Sequence, residues 1–290
     1  MLTDRIAGAP ISWGVSEVPG WGHQLPPARV LAEMRGAGLA ATEFGPDGFL
    51  PAEPAAKAAT LAEYGLAAVG GFVPVVLHDP DRDPVGEIAG ALAGFTAAGA
   101  TTLVLAADTG VTGYDQRPEL DDAAWRLLLA NLDRIRDVAG ERGVTATLHP
   151  HVGTVVEREA DVARVLAGSA VPLCLDTGHL MIGGVDPAAL AAQVPDRIAH
   201  THLKDVDARL ADRVRTGDIA YSAAVEAGIY RPLGDGDAGI AAIIAALEAS
   251  GYTGWYVLEQ DTVLSGEPPE GAGPLADVVA SVAFVNELVS

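Results

Sequence analysis

A single (β/α)8 barrel, the TIM-barrel architecture of the α/β class, is the fold that this sequence predicts, and three observations carry it. Short apolar runs alternate eight times with longer Ala- and Leu-rich segments that place charges at helical spacing. The short runs are apolar throughout rather than alternating, as strands buried on both faces of a parallel sheet are. Eight such pairs fill 290 residues, the length that a barrel of this kind occupies as one domain. One domain over residues 1–290 is therefore expected. A doubly wound open sheet is the alternative, but no G-x-G-x-x-G follows the first strand to support it.

The elements follow in order. RIAGAPI (5–11) is the first strand, followed by a helix near 27–37. AATEF (40–44) and a helix at 53–64 form the second pair, AAVGGFV (67–73) and 84–98 the third. The β-branched run TTLVLAA (101–107) precedes the long charged helix at 121–142. VTATLH (144–149) and 158–168 form the fifth pair, and VPLCLD (171–176) and 187–194 the sixth. IAHTHL (198–203) is the seventh strand, and its helix, 238–250, comes only after a long segment, 204–237. That segment is expected to carry a short helix, YSAAVEAG, and to act as a rim or lid. GWYVLE (254–259) and a helix at 275–289 end the series.

Composition narrows the function. Lys plus Arg number 18 against 39 Asp plus Glu, a net charge of −21. A chain so acidic is repelled by phosphate backbones and anionic lipid, and no basic run offsets this, so neither nucleic acid nor a membrane surface is an expected partner. The single cysteine, Cys174, cannot form an intrachain disulfide. The start MLTDRIAGAP lacks a signal-peptide core, and runs such as GLAAVGGFVPVVL are too short to span a bilayer. A cytoplasmic enzyme of a small molecule is expected. Homo-oligomers are common at this size, although the sequence does not fix a subunit number.

In such a barrel the C-terminal strand ends converge on one mouth, so polar residues far apart in sequence meet there. Strand two ends at Glu43, strand five at His149 and His151 in LHPH, strand six at Asp176, strand seven at His202 and strand eight at Glu259. Residues two apart on a strand share a face, which puts His149 and His151 together. Two imidazoles and two carboxylates suit a divalent transition ion, manganese, cobalt, zinc or iron, rather than the oxygen shells of magnesium or calcium. His149, Asp176, His202 and Glu259 are the candidate ligands. His149 is preferred to His151 because it ends the strand directly, and His151, one step further out, then faces the substrate.

These residues lie in a set of motifs: APISWG (9–14), TEFGPDGF (42–49), LHPHVGTVVE (148–157), LCLDTGHLMIGG (173–184), RIAHTHLKDVD (197–207), PLGDGD (232–237) and GWYVLEQD (254–261). In them the chain resembles the xylose-isomerase-like barrels, metal-dependent sugar isomerases, epimerases and endonucleases, and within them most closely the inosose dehydratases of inositol catabolism. The resemblance spans nearly the whole chain, and LHPHVGT with DTGH and HLKDV is its specific part. It implies that Asp176, His202 and Glu259 bind the metal, manganese or cobalt before zinc or iron, with His149 where the isomerases keep a glutamate. It also implies that His179 and Lys204 touch the substrate, and that Trp13 and Glu43 line the same pocket.

A neutral ligand in place of a carboxylate leaves the ion one unit more positive and a stronger Lewis acid. That favours stabilising an enediolate over shuttling a proton between two faces of a substrate, and hence dehydration of a keto-polyol. The resemblance implies that the reaction converts 2-keto-myo-inositol to a trihydroxycyclohexane dione and water, and His151, His179, Lys204 and Glu259 are the candidate proton-transfer groups. A ketose or keto-inositol isomerase or epimerase is the alternative enzyme, and a non-catalytic sugar-binding barrel the alternative outside catalysis. A phosphorylated substrate is not expected, since the last two strand-end loops lack a Gly-rich cradle.

Overall fold

In the computed structural model, which describes residues 2–288, parallel strands close into a (β/α)8 barrel. Its staves are Ile6–Gly8, Ala41–Thr42, the two pieces Ala67–Ala68 and Gly70–Val75, Thr102–Ala107, Thr145–Leu148, Leu173–Asp176, Ile198–Leu203 and Tyr256–Leu258. Each falls inside or across a strand predicted from the apolar runs. The first is shorter than RIAGAPI because Pro10–Trp13 turns into a 3-10 helix, where the missing proline N–H is no loss.

Closure runs through the third stave. Ala67–Ala68 pairs with the second strand and Gly70–Val75 with the fourth, so the two ends of the sheet are halves of one strand. Val69 between them donates to Thr42 O at 3.0 Å and accepts from Thr101 N and Thr102 N. The backbones come so close that a Cβ on Gly70 would lie 1.9 Å from Thr102 O. Gly70→Ala is therefore expected to open the seam and lower stability by about 3 kcal/mol, at the upper end of overpacking effects. Thermal melting checks this, and an unchanged Tm would show that closure does not depend on that approach.

Helices stand between the staves in the expected order, at Pro27–Gly36, Pro54–Glu63, Pro84–Ala98, Asp122–Gly140, Glu159–Gly168, Pro187–Gln193, Ile240–Ala249 and Pro274–Glu287. The end predicted for the last, at Val289, lies outside the described residues. Side chains buried between strands and helices, among them Leu105, Leu148, Leu175 and Ile243, form the main core. Among the described residues no helix is long and apolar enough to cross a membrane.

Two helices have no counterpart in the sequence reading. Thr177–Ile182 starts directly at the end of the sixth strand, where Asp176 Oδ1 accepts from His179 N at 2.7 Å as its N-cap. The segment after strand seven forms a small antiparallel ribbon, Asp205–Val206 with Tyr230–Arg231, enclosing helices Ala208–Arg215 and Tyr221–Glu226. The second of these is the expected YSAAVEAG helix.

Candidate metal centre at the barrel mouth

Period-two strand geometry stacks the polar residues of the barrel interior in two layers. Cys174 and His200 are register partners one step below Asp176 and His202, which are themselves partners. In the upper layer His149 Nε2 lies 3.0 Å from Asp176 Oδ2, Asp176 Oδ2 lies 3.5 Å from His202 Nδ1, and His202 Nδ1 lies 3.2 Å from Glu259 Oε2. All four side chains are buried. Asp176, His202 and Glu259 offer ligand atoms within 4.8 Å of one another, whereas His149 forms such groups with Cys174 and His202 and with Asp176 and His179.

Glu43 decides how His202 is presented. Its Oε1 accepts from His202 Nε2 at 3.0 Å and from His200 Nε2 at 2.8 Å. With Nε2 carrying the donated hydrogen, Nδ1 of His202 turns toward Asp176 and Glu259, buried and without a hydrogen-bond partner. A nitrogen lone pair aimed at two carboxylates is repulsive unless a proton or a metal cation lies between them. Burial disfavours the proton, yet the acidic groups around His202, with Glu259 and Glu43 foremost among the carboxylates, hold its pKa well above the ordinary histidine value. The same field favours a cation, so the donor set fits a divalent ion.

The remaining groups surround this centre. Burial pushes His149, His151 and His179 below the ordinary histidine value, so each is neutral. Burial opposes ionisation of Asp176 as well, but the Lys204 ammonium holds its carboxyl well below the usual range. His151 Nδ1 donates to Val152 O at 2.6 Å, and its ring lies 3.7 Å, centroid to centroid, from His179 and 4.4 Å from Tyr114. Lys204 Nζ donates to His179 Nε2 at 3.1 Å and lies 3.1 Å from Glu259 Oε2. A cavity of about 870 Å³ opens over the group, lined by His149, His151, His202, Lys204 and Glu259 among others.

The expected pocket residues divide. His151 and Lys204 line the cavity, and Glu43 reaches it while its Oε1 is taken up by two histidines. His179 stands behind them, against His151 and Lys204. Trp13 is a correction: it is fully buried in the core, its Nε1 donating to Glu33 of the first helix at 2.8 Å, and it does not line the cavity. The 3-10 turn at Pro10–Trp13 rotates it inward.

Four residues of the centre were not expected. His200 precedes His202 by two, the same spacing that singles out His149 and His151, so IAHTHL did contain the signal. Asp261 follows Glu259 by two. Tyr221 and Tyr230 come from the segment after strand seven, and their hydroxyls meet at 2.9 Å; no strand-end rule reaches them.

Comparison with known proteins agrees with the fold. A family model described as xylose isomerase-like TIM barrel matches residues 31–282. The chain is 34% identical over 285 residues to the rhizopine catabolism protein MocC of Rhizobium meliloti, covering 95% of this chain and 85% of that one. It is 30% identical over 298 residues to the inosose dehydratase of Geobacillus kaustophilus, covering 98% and 94%. Among solved structures it is similar in fold to an L-ribulose 3-epimerase, with TM-score 0.71 and 18% identity over 98% of this chain and 94% of that one. It is also similar to the IOLI protein with a bound zinc atom, with TM-score 0.68 and 14% identity over 99% and 98%.

Proposed function

We propose that this chain, which belongs to the xylose isomerase-like TIM barrel family, is a divalent-metal-dependent hydro-lyase that removes water from a keto-inositol in inositol catabolism. The observation that carries the reading is the neutral imidazole of His149 at the corner where strand five meets Asp176, beside a His202 whose Nδ1 faces two carboxylates. The similarity to inosose dehydratases over nearly the full length of both chains supports it.

Asp176, His202, Glu259 and His149 are the residues that would hold the ion, manganese or cobalt first. When bound, the ion supplies positive charge that polarises a ketone oxygen and lowers the cost of losing the adjacent proton. The chain supplies the rest. His151, with Nδ1 committed to Val152 O, keeps Nε2 for a proton at the cavity wall. Lys204 holds an ammonium at the same wall, positioned to protonate a departing hydroxyl or to bind its oxygen. A wall so rich in carboxylates disfavours anionic, phosphorylated substrates and suits an uncharged polyol.

Incubating the metal-reconstituted protein with a panel of keto-inositols and ketoses, followed by mass spectrometry, tests the reading. Loss of one water from 2-keto-myo-inositol is the expected result. A rearranged product of unchanged mass would place the chain with the isomerases and epimerases. An absence of both turnover and ion binding would leave a sugar-binding barrel.

A further inference from the structure

The centre has a cation of its own, the buried ammonium of Lys204, and it competes for the carboxylates that would hold the metal. Lys204 Nζ lies 3.1 Å from Glu259 Oε2 and 3.7 Å from Asp176 Oδ2. Its shortest contact is to neither, but to Asp261 Oδ1 at 2.7 Å. Asp261 is in turn fixed from behind, since its Oδ2 accepts from the Tyr221 hydroxyl at 2.9 Å. With the Tyr221 proton committed there, the Tyr230 hydroxyl donates to the Tyr221 oxygen at 2.9 Å. The ring of Tyr230 lies under the ammonium, 5.2 Å from Nζ to its centroid, a distance at which an aromatic face attracts a cation. All these side chains are buried.

The sequence makes room for this seat at Gly178. A Cβ there would lie 2.7 Å from Lys204 Cβ and 2.9 Å from Tyr230 Cε1. The excursion after strand seven supplies both tyrosines. Its ribbon and second helix therefore have a task at the centre beyond forming a rim.

We propose that Asp261, held by Tyr221, is a positioning residue that draws the Lys204 ammonium off Asp176 and Glu259 and so leaves those carboxylates to a divalent ion. Without Asp261 the nearest carboxylate to the ammonium becomes Glu259, a metal ligand. The inference rests on the metal reading above.

Titration with Co2+ alone, in competition with a chelator, tests both ideas separately. Asp261→Asn is expected to weaken Co2+ binding by about tenfold or more, in the range found for residues that support metal ligands. The visible spectrum of the saturated protein should be unchanged, because the ligands themselves are intact. In a Lys204→Met background the same substitution should cost less than about threefold, since no ammonium remains to be misplaced and the two effects are coupled. Equal losses in both backgrounds would mean that Asp261 acts only as a negative charge, and would overturn the proposal. If Asp261→Asn does not fold, Tyr221→Phe decides in its place, because it changes no charge. A weaker affinity that disappears in the Lys204→Met background supports the proposal, and an unchanged affinity overturns it. Failure of the unsubstituted protein to bind Co2+ would overturn the metal reading and the proposal together, whereas binding with uncoupled losses would overturn the proposal alone.

Discussion

Asp176→Ala is expected to abolish divalent-ion binding and to lower turnover by about a thousandfold or more, equivalent to about 4 kcal/mol of barrier. The size of the effect follows from what Asp176 touches. Its Oδ2 is the shared point of His149 and His202, at 3.0 and 3.5 Å, and Lys204 stands 3.7 Å away. Removing it takes away one ligand and the charge that makes the other positions attractive to a cation. Its Oδ1 has a separate duty as the N-cap of Thr177–Ile182, and losing a cap costs about 1 kcal/mol. That is too little to unfold the barrel, so circular dichroism should remain native while metal analysis shows no ion. Asp176→Asn keeps an acceptor for the cap and should recover stability without recovering the ion. His179→Ala should retain the ion and slow turnover, because His179 meets the centre through Lys204 and His151. Equal ion content in Asp176→Ala and His179→Ala would end this division of roles.

His149→Glu is expected to keep the ion yet lose dehydration by about a hundredfold or more, as when one stabilising interaction is removed from a developing oxyanion. A carboxylate oxygen reaches an ion at nearly the distance that an imidazole nitrogen does, so four ligands remain. The added negative charge weakens the pull on a developing enediolate. The structure adds a stability signature. His149 Nε2 now donates to Asp176 across 3.0 Å, and a glutamate there would face a second buried carboxylate instead. Ion-free protein should therefore melt well below the parent, and added metal should restore Tm by binding only the folded state. His151→Ala should keep the ion and impair chemistry or substrate binding. Undiminished dehydration in His149→Glu, together with loss of metal in His151→Ala, would exchange the roles of the two histidines.

Much of this molecule was legible in the sequence because its strands are short, apolar and regularly spaced, and because barrel strands all end at one mouth. That rule brings His149, Asp176, His202 and Glu259 together from four strands without any knowledge of packing. It fails where a side chain's direction depends on more than strand phase. Trp13 follows strand one by five residues, but a 3-10 turn intervenes and buries it against Glu33. Glu43 ends strand two as expected, yet it binds histidines of the seventh strand because the barrel curls until second and seventh strands face each other. Thr177–Ile182 spans six residues, too short for helical periodicity to register. Tyr221 and Tyr230 belong to an excursion whose course no period describes.

The column formed by Glu43, His200, His202 and the ligands above them runs down the axis of the barrel, where other barrels place branched aliphatic side chains. Glu43, His200 and His202 are joined through the two Nε2 hydrogen bonds, so none of the three can be replaced alone without stranding a buried charge or donor. This makes the interior poorly mutable at single positions and coupled over several, a landscape in which change arrives in concerted sets. It also marks a reserve of stability forgone for activity, since an apolar side chain in the lower layer would suit the fold better than the buried imidazole of His200. Directed evolution toward heat resistance would be drawn to that layer first, and catalysis would record the exchange.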